Sequence, residues 1–436
     1  MRNVSRNFVL AGLVAIAFVA AAYKIFNRPL QATFVTPAAQ VLPNWKQPTS
    51  QVAPNFQAQF VSSVPGKAVH APSVVELRDG SLRAVWFSGS REGAGDVTIQ
   101  TAVFNNDSQR WGTESSLFDS NRLQRGLWRY VKKIGNPVIA RAPDGSLHMW
   151  MVNVSLGGWA GSAITWSRSE DDGTTWGAPK RLVTSPFLNI STLVKAAPVG
   201  MTHGQTSLPV YHEFITKFAE VLRIDLNGQV LDKVRIPGSH TSLQPVVLAS
   251  NAQLAQAFMR ATQGGQVMSS STQDAGQTWA VAAPLALPNP NSALAGAVLQ
   301  DGSRWLAYNP TTAGREKLAL TRLGDAAVKE IAVEPPKQNI NQAIPLGIQE
   351  YAAVLGAELK SNGVTDSDIA AYVGSAQRQL CTSGNCAQEF SYPFLLQSRD
   401  GTLHLIYTWH RTRIKHIRLD PSALSTRLTQ AHDRPN

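Results

Sequence analysis

Six times along the chain an apolar run, a tight polar turn and a second apolar run follow one another. Three copies are PSVVELRDGSLRAVWF from Pro72, PVIARAPDGSLHMWMV from Pro137 and PFLLQSRDGTLHLIY from Pro393. The others are PVGMTHGQTSLPVY from Pro198, PVVLASNAQLAQAF from Pro245 and GAVLQDGSRWLAY from Gly296. Short apolar runs bounded by Gly, Asp and Pro predict strands, and Asp79-Gly80, Asp144-Gly145, Asp301-Gly302 and Asp400-Gly401 predict two-residue hairpin turns with positive φ. Units of about 50 residues with about four short strands each bury their apolar faces by stacking around an axis, so the pattern predicts an all-β, six-bladed propeller. The interval between the last two turns is about twice the others, and 338–388 accounts for most of the excess. Within it IQEYAAVLGAELKSN and TDSDIAAYVGSAQRQL place apolar residues three and four apart, which predicts a small helical insertion before the last blade.

Ahead of the repeat, Arg2 and Arg6 precede an uncharged run, FVLAGLVAIAFVAAAY from Phe8 to Tyr23, and Lys24 and Arg28 follow it. The run exceeds a signal-peptide core and falls short of the roughly 20 residues that cross a bilayer, unless Lys24 snorkels and adds Ile25 and Phe26. Residues 1–26 are read as an uncleaved signal anchor entering the membrane, with a signal peptide cut near Ala20-Ala21-Ala22 as the alternative. Both put the rest of the chain outside the cytoplasm, on the periplasmic side. Residues 27–55, rich in Pro, Gln, Ala and Thr, read as a linker, 56–425 as the propeller and 426–436 as a tail.

Charged residues are 16% of the chain and hydrophobic ones 43%, which excludes a disordered or coiled-coil chain. A formal net charge of +11 favours acidic partners. That charge is scattered and no nucleic-acid motif occurs, so an acidic glycan or polysaccharide is expected as partner and nucleic acid is not. The densest basic run, RTRIKHIRL, alternates like a strand with one solvated face. Cys381 and Cys386 in CTSGNC, the only cysteines, are close enough for a small disulfide loop in an oxidising compartment. CxxxxC lacks a second ligand pair, and neither a His-Glu-x-x-His run nor a phosphate-cradling Gly loop occurs, so no metal and no cofactor is expected.

Between the hairpins, Ser169 to Trp176 fits S-x-D-x-G-x-T-W, Thr272 to Trp279 fits it with Thr for Ser, and FNNDSQRW ending at Trp111 is a decayed copy. Such a turn folds on its own Asp while the Trp packs beneath it. Residues just ahead of each repeat's Pro should converge where the innermost strands begin. They are His70, Asn136, Lys195, Gln244, Asn291 or Ser292, and Tyr392. Trp86, Phe87, Trp128, Trp159 and Trp409 are candidates for stacking on sugar rings, with core packing the expected role for most.

These Asp-box turns resemble those of the sialidase superfamily, most closely its bacterial BNR-repeat, sialidase-like branch. WFSGSREGAGDV, NPNSALAGAVLQDG with NPTTAGREKLAL, and EFSYPFLLQSRDGTLHLIYTWHRTRIKHIRLD carry the likeness, which covers about Lys67 to Asp420. It implies a Tyr nucleophile in the last blade, here Tyr392, because a neutral phenol avoids the repulsion a carboxylate would meet from the carboxylate of sialic acid. It implies an acid/base Asp shortly after an Arg, here Asp96 after Arg91, with Glu92 competing. Glu389 is the implied in-sequence base, since the usual blade-four Glu is replaced by Gln244 or a neighbour. Of three Arg that hold the substrate carboxylate, Arg260 and Arg315 match two, and His70 stands where the third is expected. The resulting expectation is an exo-glycosidase acting on a terminal acidic sugar. A non-catalytic glycan-binding or envelope-assembly propeller is one alternative, and a polysaccharide lyase using His70 and Tyr392 as base and acid is another.

Overall fold

The computed structural model describes residues 8–16, 18–19, 31–36, 56–62, 64–185, 189–325, 327–336 and 345–424. The chain divides into two units, Met1–Ala32 and Thr33–Asn436. In the first, residues 8–16 and 18–19 are helical, and the apolar run Phe8–Tyr23 lies only partly within the described residues. Among the described residues no helix is long and apolar enough to cross a membrane.

The second unit contains six antiparallel sheets of four or five strands each. Their innermost members are Ala68–Glu76, Lys133–Arg141, Thr192–Val194 with Val199–Gly200, Ser242–Ala249, Ala295–Val298 and Phe390–Gln397. Each of these packs against the next sheet, and Phe390–Gln397 packs back against Ala68–Glu76, so the sheets close into a ring. The sixth sheet is completed from the other end of the chain, where Gln57–Phe60 pairs with Arg413–Leu419 in the register Gln57 with Arg418 and Phe60 with Lys415. Large side chains such as Trp86, Trp150, Trp305 and Trp409 fill the layers between sheets and are fully buried.

The hairpins differ from two-residue turns. At the first, only Gly80 takes positive φ, Leu77 N donates to Ser81 O, and Asp79 Oδ1 accepts from Ser81 N. The loop is therefore three residues, Arg78, Asp79 and Gly80, a length that places its left-handed residue last.

The turn Ser169–Trp176 folds on Asp171, whose carboxylate accepts from the backbone and hydroxyl of Thr175. Those bonds hold its carboxyl at about 2. Thr272–Trp279 repeats the arrangement around Asp274. The neighbouring Asp172 ties two sheets together: its carboxylate accepts from Arg78 N and pairs with Arg78 and Arg141 at 3.0 Å each.

Two helices, Ile348–Ser361 and Asp366–Leu380, occupy the insertion, the second capped by the Thr365 hydroxyl. Tyr351, Leu355, Leu359, Tyr372 and Ala376 bury against the fifth and sixth sheets. Their presence overturns the expected solvated face of RTRIKHIRL, because the whole strand Arg413–Leu419 is buried. Arg413 lies over the Phe60 and Tyr372 rings, and Lys415 pairs with Glu334 and Glu358 at 2.5 and 2.7 Å. Cys381 and Cys386 form a disulfide at the end of the second helix. Within the expected linker, Thr33 N bonds to Thr202 Oγ1 and buried Phe34 pairs with Met201, so residues 33–34 lie on the third sheet. The tail 426–436 lies outside the described residues.

Candidate active site

Four of the innermost strands carry one deformation at their start. Pairing shifts register between His70 and Ser73, Gly135 and Val138, Leu243 and Val246, and Ser391 and Phe394. Inside each shift a non-glycine residue takes positive φ immediately before a proline: Ala71, Asn136, Gln244 and Tyr392. A bulge of this kind leaves a residue out of the ladder and re-aims its side chain, and such strained backbone gathers at functional sites. In these four repeats the opening proline therefore follows the residue that the bulge turns out of the sheet.

The re-aimed groups meet. Gln244 Nε2 lies 3.0 Å from the Tyr392 hydroxyl and 3.5 Å from that of Tyr211, to which Asn136 Nδ2 also donates at 3.4 Å. Arg260 Nη1 donates to Gln244 Oε1 at 3.0 Å. A guanidinium only donates, so this bond fixes the amide, with its oxygen on Arg260 and its nitrogen donating to Tyr392. Gln244 thus stabilises negative charge on the phenol oxygen and has no capacity to take its proton. Burial pushes the Tyr211 hydroxyl up well beyond the ordinary tyrosine value, which keeps it neutral.

Around this centre stand cations. Asn291 joins two of them, accepting from Arg260 Nε at 2.6 Å through its side chain and from Arg315 Nη2 at 3.1 Å through its carbonyl. Arg411, in the turn after Leu403–Trp409, bonds both oxygens of Glu389 at 3.0 Å through Nε and Glu92 at 3.1 Å through Nη1. Arg315 pairs with Glu389 at 3.3 Å and Ser391 Oγ donates to it at 2.5 Å. Burial alone would raise the Glu389 carboxyl, but Arg411 and Arg315 outweigh it and hold the group below the usual carboxylate range. Lys195 is buried with its ammonium 5.5 Å from the Tyr392 ring and 3.0 Å from Pro393 O, and burial brings it down to about 7.

His70 packs against Tyr392 with ring centroids 4.1 Å apart and ring planes inclined at 49°. It is buried, and neither ring nitrogen has a hydrogen-bond partner among the described residues. Burial, then the charges of Arg411, Arg315, Lys195 and Arg260, push it well below the ordinary histidine value, so it is a neutral imidazole at physiological pH.

The expected residues therefore divide. Tyr392, His70, Asn136, Gln244, Arg260, Arg315 and Glu389 belong to one cluster. Arg91 and Asp96 are exposed on the adjoining loop, and Asp96 accepts from Ser90 N and Oγ at 2.9 Å. No hydrogen bond or ion pair among the described residues joins Asp96 to Tyr392. From that loop it is Glu92 that reaches the cluster, through Arg411.

Arg411 was missed because it falls within the basic run read as an ordinary strand. A visible signal was its place in the turn between two strands of the last repeat, matching the placement of Arg315 in the repeat before. Of the aromatic candidates, Trp86, Phe87 and Trp409 are core residues, whereas Trp128 is exposed.

The solved structures like this one include the Hadza microbial sialidase, at TM-score 0.58 and 15% identity over 82% of this chain and 66% of that one. A Dyadobacter fermentans protein of unknown function matches at 0.59 and 13% identity, over 84% and 99% of the respective chains. The leech intramolecular trans-sialidase matches at 0.59 and 11%, over 86% and 71%. Identities this low speak for the fold. No curated protein sequence matches significantly. The family model described as a BNR repeat-like domain matches residues 80–405, three quarters of the chain, and the chain belongs to that family.

Proposed function

We propose that the chain is an extracytoplasmic, sialidase-like exo-glycosidase, its six sheets the blades of a propeller and Phe8–Tyr23 its membrane anchor. It hydrolyses a terminal acidic sugar. The observation that carries this reading is the gathering of Arg260, Arg315 and Arg411 around buried His70, whose ring lies against Tyr392, a tyrosine whose oxygen already accepts a hydrogen bond. Guanidinium groups match a sugar carboxylate bidentately and hold its anomeric carbon near Tyr392. Attack by the Tyr392 oxygen on that carbon forms the glycosyl-enzyme bond as the glycosidic bond breaks, and the phenol proton passes to water. Asp96, a loop carboxylate without an ion pair among the described residues, protonates the departing oxygen, and water then releases the sugar. Glu389, committed to two arginines, orients them and is a poor base for the phenol.

One observation favours a second reading. The group against the Tyr392 hydroxyl is a carboxamide, which accepts no proton, and this suits a protein that binds acidic glycans without cleaving them.

A single experiment separates the two. Fluorogenic sialoside and glucuronide are offered to the protein and to Tyr392→Phe, with binding of the free acidic sugars measured alongside. Turnover that vanishes in the variant while binding persists supports the glycosidase. Binding without turnover in either protein supports the glycan-binding reading, and neither binding nor turnover refutes both.

A further inference from the structure

Every sheet joins its first two strands by a hairpin at one end of the ring and its second and third strands at the other. Arg315, Arg411 and Glu92 lie in connections of the second kind, so that end carries the candidate site. At the same end, in the second and third sheets, three loops expose large apolar side chains. Trp128 is 96% exposed and Ile215 86%, and Tyr130, Leu156 and Phe214 are exposed with them.

The loops adjoin. Lys132 N donates to Val154 O at 2.8 Å, and the turn Trp159–Gly161 packs against the strand Thr206–Glu213, whose end leads into Phe214. Trp128 caps the helix Ser120–Leu127 at φ 50, a left-handed conformation that holds its ring out to water. So many large apolar groups in water mark a contact surface.

Charge identifies the partner. Arg129 and Lys132 are exposed among these side chains, and residues 128–132, 155–161 and 214–216 contain no Asp or Glu. Aromatic and aliphatic tips interleaved with cations match the boundary of an anionic bilayer, where rings sit at headgroup depth and Lys and Arg meet phosphates. A sugar chain is a poorer match, since Leu156 and Ile215 offer its hydroxyl groups nothing. We infer that this rim docks the site-bearing end of the protein onto an anionic lipid surface. The inference does not depend on catalysis by Tyr392.

The full chain, labelled with an environment-sensitive dye at Ile215→Cys, tests it, because both native cysteines are paired. A second sample carries the dye at Ala252→Cys, in a hairpin at the opposite end. Each is mixed with vesicles of phosphatidylglycerol and phosphatidylcholine, then of phosphatidylcholine alone. The expected result is a blue shift at 215 on the anionic vesicles that fades with salt, and none at 252. Adding Trp128→Ser and Leu156→Ser should weaken that response at least about tenfold while leaving the melting temperature unchanged. Insertion of the N-terminal run alone gives 215 no advantage over 252, whose carbonyl accepts from Phe34 N, so a response at 252 equal to or greater than that at 215 overturns the inference. A missing response at 215 overturns it too, as does a response only to a soluble acidic oligosaccharide, which would make the rim a sugar subsite.

Discussion

A single amide decides how the tyrosine at the centre of this site behaves. Gln244 donates to the Tyr392 oxygen because Arg260 occupies its carbonyl, so the phenol has a stabilising donor and, among the described residues, no hydrogen-bond partner able to accept its proton. Replacing Gln244 with Glu puts a proton acceptor at hydrogen-bond distance while keeping a partner for Arg260. If the glycosidase reading holds, Gln244→Glu should raise release of fluorophore from an acidic glycoside at least about tenfold, and an unchanged rate would remove Tyr392 from the chemistry. Arg411→Ala should weaken binding of a free acidic sugar at least about tenfold, read by titration calorimetry, and also lower stability by leaving Glu389 short of a partner. Tyr392 was legible in the sequence because it stands just ahead of a repeat's proline, and Arg260 and Arg315 were legible only through the resemblance carried by the strings around them. The roles of Glu92 and Asp96 were not, because both lie in one loop and only three-dimensional packing decides which reaches Arg411.

At the scale of elements, neighbouring sheets are joined by short polar devices set between apolar layers. Asp172 is the clearest: one carboxylate serves a backbone amide and two arginines belonging to the hairpins of adjacent sheets. Asp172→Ala should lower unfolding free energy by about 2 kcal/mol, measured by urea denaturation, since Arg141 keeps a buried charge with fewer partners. The insertion helices brace the site. Tyr351 Oη lies 3.0 Å from His410 Nδ1, and Gln379 Nε2 donates to Arg411 O at 3.2 Å. Apolar spacing revealed both helices, since i, i+3 and i+4 periodicity is local. It could not reveal that they cover Arg413–Leu419, because burial of that strand depends on what is laid over it.

For the whole molecule, buried histidines set the response to acid. Burial lowers His148 and His404 from 6.5 to about 4, and takes His70 and His416 well below the ordinary value. The unfolded chain takes up protons at these positions near pH 6.5 and the folded chain only near pH 4 or lower, so their contribution is complete above 6.5 and is lost as pH falls through that interval. Glu76, raised by burial from 4.5 to about 7, acts in the opposite sense, binding its proton more readily when folded. Four histidines outweigh it. The melting temperature should therefore be lower at pH 5 than at pH 7.5, and scanning calorimetry across that range would expose an error in this balance.

Ring closure by Gln57–Phe60 has a consequence in time. The strand made first among the six sheets finds its partner, Arg413–Leu419, only after nearly everything between them exists. A growing chain can assemble five sheets in order, yet its early strand must wait uncommitted. A product cut short before Arg413 would carry two unmatched edges instead of a closed circle, and would be marked for recognition and removal by that defect alone.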